Sequence, residues 1–205
     1  QRPAPSGRDR GPLGGLCPGA AATPAGALSG GEGASPAQCG GLVDAFLPVA
    51  ADLLAFPMPT VAAVTGHDYS TDFLPALCHD YRLMRADRAV LYMSEADTVL
   101  CPPLYFVHVL RTTNSHTHAL PVLGLRGMNL TPPEAREMGI VDVVCPGAPE
   151  TAAEALKLAE GRAGRKWDGA VYASIRMSMF PDACRAVGIA VESDEEKSRH
   201  FASRL

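Results

Sequence analysis

The sequence predicts an α/β fold with a helical C-terminal part, and three observations carry that expectation. A short β-branched apolar run, T-V-A-A-V-T at residues 60–65, lies between two stretches of helical periodicity, as a strand buried on both faces of a sheet does. A second strand-like run, I-V-D-V-V at residues 140–144, follows the helix start T-P-P-E. Beyond it only helical patterns occur, so strands alternate with helices early and helices stand alone late.

Taken in order, residues 1–41 are dominated by Gly, Pro, Ala and Ser without apolar periodicity. Such a segment cannot bury enough surface to offset its ordering entropy, and it reads as disordered. The chain starts with Gln1, which suggests a fragment or a processed form. Apolar residues at 42, 43, 46, 47, 50, 53 and 54 predict a helix over 42–56, interrupted by Pro48 and ended by F-P-M-P, where the prolines force an extended path. The strand at 60–65 then turns at Gly66. A short helix follows at 73–78, with strands at 81–84 and 90–93 and helices at 103–111 and 115–123. Thr131 suits a helix N-cap, with Pro132 at the first helical position and Glu134 three residues on. That helix stops at Gly139. Helices at 149–160, 168–179 and 193–202 complete the chain.

At 205 residues, with 47% hydrophobic and 20% charged residues, the composition fits one globular domain over 42–205. A formal net charge of -4 gives no reason to expect nucleic acid or an anionic membrane as partner. The six cysteines show no C-x-x-C spacing, so free thiols in a reducing setting are expected and a zinc site is not. No apolar run approaches the roughly 18 residues of a membrane span, and no apolar core of a signal peptide opens the chain. The expectation is a soluble protein that is not secreted.

Four segments carry a resemblance: P-T-V-A-A-V-T-G-H at 59–67, L-C-H-D-Y-R-L-M at 77–84, L-Y-M-S-E-A-D at 91–97 and L-T-P-P-E-A-R-E-M-G-I-V-D-V-V at 130–144. Together they resemble the crotonase, or enoyl-CoA hydratase/isomerase, superfamily, nearest to plant-type Δ3,Δ2-enoyl-CoA isomerases, over about residues 42–205. The resemblance implies a spiral of ββα units, N-terminally incomplete here, with a helical C-terminal region that mediates oligomer formation. It implies an acyl-CoA thioester substrate, no cofactor apart from the CoA carried by that substrate, and no metal. Its chemistry passes through an enolate whose oxygen is held by backbone N–H groups, because preorganised donors stabilise charge that develops there.

Glu95 stands where the isomerase pattern has its base, the carboxylate that takes a proton from C2 of a 3-enoyl chain and returns it at C4. Flanked by Leu91, Met93, Val99 and Leu100, it would be harder to ionise than in water and a better base for a carbon acid. The other reading of Glu95 is an exposed residue in a loop after a strand. The oxyanion or substrate-binding residues carried over are Gly66, Thr71 through its N–H, and Asp72. Hydratases use a further glutamate, and the matching position here is Leu74, which disfavours hydration.

The sequence also departs from the pattern. Asp68-Tyr69-Ser70-Thr71-Asp72 replaces the small residues and glycine that usually let the backbone approach the thioester, and residues 1–41 hold nothing like the family's first strands and their oxyanion donor. These departures favour a second reading, a catalytically inactive paralogue or truncated product acting as a structural or assembly partner. The H-x-H pair His116 and His118 has no third ligand at matching spacing and reads as a solvated loop or helix start. His67 and His79 read as packing or hydrogen-bonding residues, and Asp80 as ordering a turn. Arg82, Arg85 and Arg88 read as surface charge beside a strand, with phosphate contact as the other option. Trp167, Tyr172 and Phe180 read as core or subunit packing. The terminal Ser203-Arg204-Leu205 is similar to the S-K-L peroxisomal address, implying an import receptor as partner and the peroxisome as location.

Overall fold

The computed structural model describes residues 36–66, 70–93, 102–113 and 121–193, together with residues 195, 196, 199 and 202. Three parallel strands form one sheet in the order β1 (Val61–Val64), β2 (Tyr81–Arg85) and β3 (Val143–Cys145). Val61 stands opposite Tyr81 and Val64 opposite Met84, while Leu83 faces Val143 and Arg85 faces Cys145. Parallel neighbours require crossovers, and helices supply them. Helix α1 (Pro36–Leu54) precedes the sheet and α2 (Ser70–Leu77) joins β1 to β2. Between β2 and β3 come α3 (Leu104–Thr113), a π-helical turn (Pro121–Leu125) and α4 (Pro132–Glu137). Then α5 (Ala148–Ala163), α6 (Gly169–Met179) and α7 (Pro181–Ala186) follow. This is the α/β arrangement with a helical C-terminal part.

Strand alternation decides what each face buries. Ala62, Val64 and Met84 enter the main core with Leu54, Phe73, Leu77, Val109 and Leu110. On the other face Leu83 and Cys145, with Val61, Ala63 and Val143, pack against Ala155 and Leu158 of α5. Both faces are covered, which is why residues 61–64 read as continuously apolar instead of alternating.

Several expectations change. Helix α1 opens at Pro36, within the segment expected to be disordered; residues 1–35 lie outside the described residues. A proline preset for the first helical position can start a helix before any apolar period is visible, and Pro48 consequently falls in the helix interior. The strand expected at 90–93 is reduced to isolated bridges at Leu91, which pairs antiparallel with Leu130, and at Tyr92. Of the helix expected at 115–123, residues 114–120 lie outside the described residues and 121–125 form the π-helical turn. Helix α7 was not anticipated.

Other local signals are realised. The Glu134 carboxylate accepts the Thr131 N–H at 2.7 Å and the Thr131 hydroxyl at 2.7 Å, and Gly139 adopts φ +70° just past the helix, a conformation glycine reaches without steric cost. Asp168 caps α6 by accepting the Val171 N–H at 2.9 Å. Trp167, 44% exposed, stacks on Tyr172 with ring centroids 5.4 Å apart.

Arg82 is a correction to the surface reading. It is only 5% exposed; its Nε donates to the Ile140 carbonyl at 2.7 Å and its Nη1 to the His79 carbonyl at 2.9 Å. Its own backbone N–H donates to Asp142 at 2.7 Å, so this side chain ties β2 to the segment entering β3.

Two testable consequences arise here. A Cβ on Gly169 would lie 2.7 Å from the Pro57 carbonyl oxygen, so Gly169→Ala should push α6 off the α1–β1 connection. A loss of about 1–3 kcal/mol is expected from such overpacking, measured by urea denaturation.

The second concerns His79, whose ring Nδ1 lies 2.8 Å from the Pro75 carbonyl. Burial is the main reason its pKa is held below the ordinary imidazole value. Because the folded value lies below the unfolded one, its contribution is complete above about pH 6.5 and is lost as pH falls through the lowered value. The wild-type urea midpoint should therefore drop on acidification below about pH 6.5, and His79→Gln should show a shallower drop there.

Candidate active site

In an open α/β sheet, ligands sit beyond the carboxyl ends of the strands, and here that edge carries Thr65 and Gly66 after β1. Gly66 is half-buried. Helix α2 opens at Ser70, so Thr71 and Asp72 both stand in its first turn. The first N–H groups of a helix have no partner within it and lie at the positive end of its dipole. The backbone is therefore of the kind that can receive a developing negative charge.

Helix α2 also contributes Phe73 and Leu77 to a small apolar cavity closed by Leu91, Met93, Phe106 and Leu110. Its volume is about 10 Å³, close to that of one water molecule, so an acyl chain enters only if side chains move. Met93 stands two positions before Glu95 in sequence. Glu95 itself lies outside the described residues, as do His67, Asp68, Tyr69, Cys101 and the His116–His118 pair. Thus Gly66, Thr71 and Asp72 share one turn-and-helix-start, whereas the side-chain base expected beside them is not described.

The basic residues considered for phosphate contact are occupied differently. Arg82 is spent internally as described. Arg85 pairs with Asp87, Nε to Oδ1 and Nη2 to Oδ2, both at 2.5 Å, and its Nη1 donates to the Thr65 carbonyl at 2.9 Å. That pair holds the Asp87 carboxyl below its usual range. Arg88 is exposed. Among the described residues no group of three or more His, Cys, Asp or Glu could hold a metal ion. Cys78, Cys145 and Cys184 are buried free thiols; burial pushes Cys78 up to about 12, far from a reactive thiolate.

The polar cluster that sequence reasoning missed lies behind the site. Asp80 accepts the Thr60 N–H at 2.7 Å and the Thr60 hydroxyl at 3.0 Å, and pairs through both oxygens with Arg176 of α6. Asp80 was expected to order its local turn, but its carboxylate instead reaches partners 20 and 96 residues away. The only sequence signal was a lone arginine in a mostly apolar helix.

Residues 25–178 match the enoyl-CoA hydratase/isomerase family. The chain is 43% identical over 149 residues to the peroxisomal enoyl-CoA delta isomerase 2 of Arabidopsis thaliana, a match covering 72% of this chain and 62% of that protein. It is 42% identical over 153 residues to enoyl-CoA delta isomerase 3 of the same plant, covering 74% of this chain and 64% of that one. The chain thus spans somewhat less than two thirds of the length of these relatives. In fold it is similar to an enoyl-CoA hydratase of Mycobacterium ulcerans, with a TM-score of 0.65, 17% identity and coverage of 76% of this chain and 66% of that one. With the family matched across most of the sequence and the parallel sheet and helices arranged as in a solved relative, the chain belongs to the enoyl-CoA hydratase/isomerase, or crotonase, family.

Proposed function

We propose that the chain is of the Δ3,Δ2-enoyl-CoA isomerase type, moving the double bond of a 3-enoyl-CoA into conjugation with its thioester. The observation that carries this reading is a single neighbourhood: Gly66 at the end of β1, the first turn of α2 with Thr71 and Asp72, and the apolar cavity reaching Met93, two residues before Glu95. Glu95 takes the proton from C2 and returns it at C4, while the Thr71 N–H holds the enolate oxygen, with Gly66 and Asp72 shaping the turn. The reaction needs no cofactor beyond the CoA of the substrate. Two Arabidopsis relatives named enoyl-CoA delta isomerases support it, and Leu74 in place of a second glutamate argues against hydration. Incubating the purified chain with a 3-enoyl-CoA tests it: conjugated thioester should accumulate, and its absence at high protein concentration would refute the reading.

A second reading is favoured by specific observations. The cavity is about 10 Å³, too small for an acyl chain as it stands. An inactive paralogue or truncated product serving as an assembly partner would have such a cavity. Val171, Ile175 and Met179, at four-residue spacing on α6, are exposed, and such an apolar stripe supports association with copies of this chain or with a complete family member. Co-purification with a complete family member, without turnover, would favour it.

The proposed site of action is the peroxisome, with an import receptor binding Ser203-Arg204-Leu205. The terminal tripeptide supports this, and so does the peroxisomal designation of one of the two relatives, which the other lacks. The three residues lie outside the described residues. Among the described residues no helix is long and apolar enough to cross a membrane.

A further inference from the structure

At the carboxyl edge of the sheet, Arg85 ends β2 and reaches sideways to the turn after β1, its Nη1 donating to the Thr65 carbonyl at 2.9 Å. Asp87 grips the same guanidinium through two N–H···O contacts of 2.5 Å. A paired contact of this kind fixes the plane of the guanidinium as well as its position. Next to it the Ala86 N–H donates to the Cys145 carbonyl at 2.7 Å, so the backbone at this point is tied to β3 as well as β1. Arg85 is therefore anchored on one side and holds a single backbone oxygen with the other. Its side chain is 19% exposed, and Nε, Nη1 and Nη2 each have an internal acceptor, which argues against a phosphate as its partner.

The oxygen it holds matters because of where it sits. The Thr65 carbonyl and the Gly66 N–H belong to one planar trans peptide unit and must point in opposite directions. A donor that captures the oxygen therefore sets the direction of the Gly66 N–H.

We propose that Arg85 is a positioning residue for the candidate site: clamped by Asp87, it holds the Thr65–Gly66 peptide at the carboxyl end of β1 and thereby sets the place of Gly66. The inference rests on the isomerase-type reading of the same site.

The test compares wild type, Arg85→Gln and Arg85→Lys by 3-enoyl-CoA turnover and by affinity for a saturated acyl-CoA. Arg185→Gln is the control, since it removes an exposed arginine–carboxylate pair on α7 with Asp182. Arg85→Gln should lower kcat about 10- to 100-fold, the usual scale for a misplaced catalytic group. Saturated acyl-CoA affinity should change by less than about 3-fold, because binding common to ground and transition states is untouched. Arg85→Lys keeps a donor for Thr65 and should recover part of kcat, while Arg185→Gln should behave as wild type.

An active wild type whose kcat survives Arg85→Gln within about twofold would overturn the positioning role and leave the function standing. A silent wild type would instead defeat the isomerase reading, and the positioning role with it. If Arg85→Gln does not fold, Asp87→Asn, which frees the guanidinium without deleting it, should show the same changes at smaller amplitude.

Discussion

Replacing Arg176 with methionine should destabilise the folded chain by about 3–5 kcal/mol, the scale for breaking a buried ion pair from one side. The side chain of Arg176 is 3% exposed and that of Asp80 18%. Its Nε donates to Asp80 at 2.9 Å and its Nη2 pairs with the other carboxylate oxygen. The remaining donors go to the carbonyls of Leu53 at 3.0 Å, Phe56 at 2.7 Å and Met58 at 2.9 Å. Tyr172 covers the guanidinium, 5.0 Å from its ring centroid. Without Arg176, the Phe56 and Met58 carbonyls lose the arginine donor, the Leu53 carbonyl keeps the Phe56 N–H, and the Asp80 carboxylate loses its paired cation while still accepting from Thr60.

Unsatisfied groups of this kind cost more than a satisfied bond gains. Urea denaturation should show a lowered midpoint with an unchanged slope. Asp80→Asn combined with Arg176→Met should cost less than the sum of the single changes, because the second removes the partner left stranded by the first. A loss below about 1 kcal/mol for Arg176→Met would show that water replaces the arginine and that α6 does not depend on it.

The same pair shows what a sequence can and cannot disclose. Elements set by local rules were legible: the β-branched run of β1, the Thr131–Glu134 cap of α4 and the glycine that ends it at 139. Each depends on residues within a few positions. The α/β class followed from the alternation of those elements. Arg82 and Arg176 were not legible, since a guanidinium that reaches carbonyls 58 or 120 residues away leaves no periodic trace. Charge near a strand was therefore assigned to the surface. The candidate site was legible in part for the same reason. Gly66, Thr71 and Asp72 are close in sequence and stand together around the start of α2, whereas Arg85 joins them only because β1 and β2 are neighbours. The strand expected at 90–93 is realised only as bridges at Leu91 and Tyr92, because the partner of Leu91, Leu130, is distant in sequence and pairs with it as an isolated contact.

Glu95→Gln should reduce 3-enoyl-CoA isomerisation by about 100- to 10,000-fold, the range supplied by a positioned general base. The amide matches the carboxylate in size, so packing and substrate affinity should hardly change. What it loses is the ability to take a proton from carbon and give it back. The position corresponding to the hydratases' additional glutamate is Leu74, so no second carboxylate there can take over.

Since the base must be deprotonated to act, wild-type turnover should climb with pH as the base ionises, and Glu95→Gln should lack that rise. Equal activity in the two proteins would assign the proton transfer to another group. Equal silence would leave the family fold without the reaction: a carbon-bound proton has to be collected by a base, and a first-turn N–H can only stabilise the charge left behind.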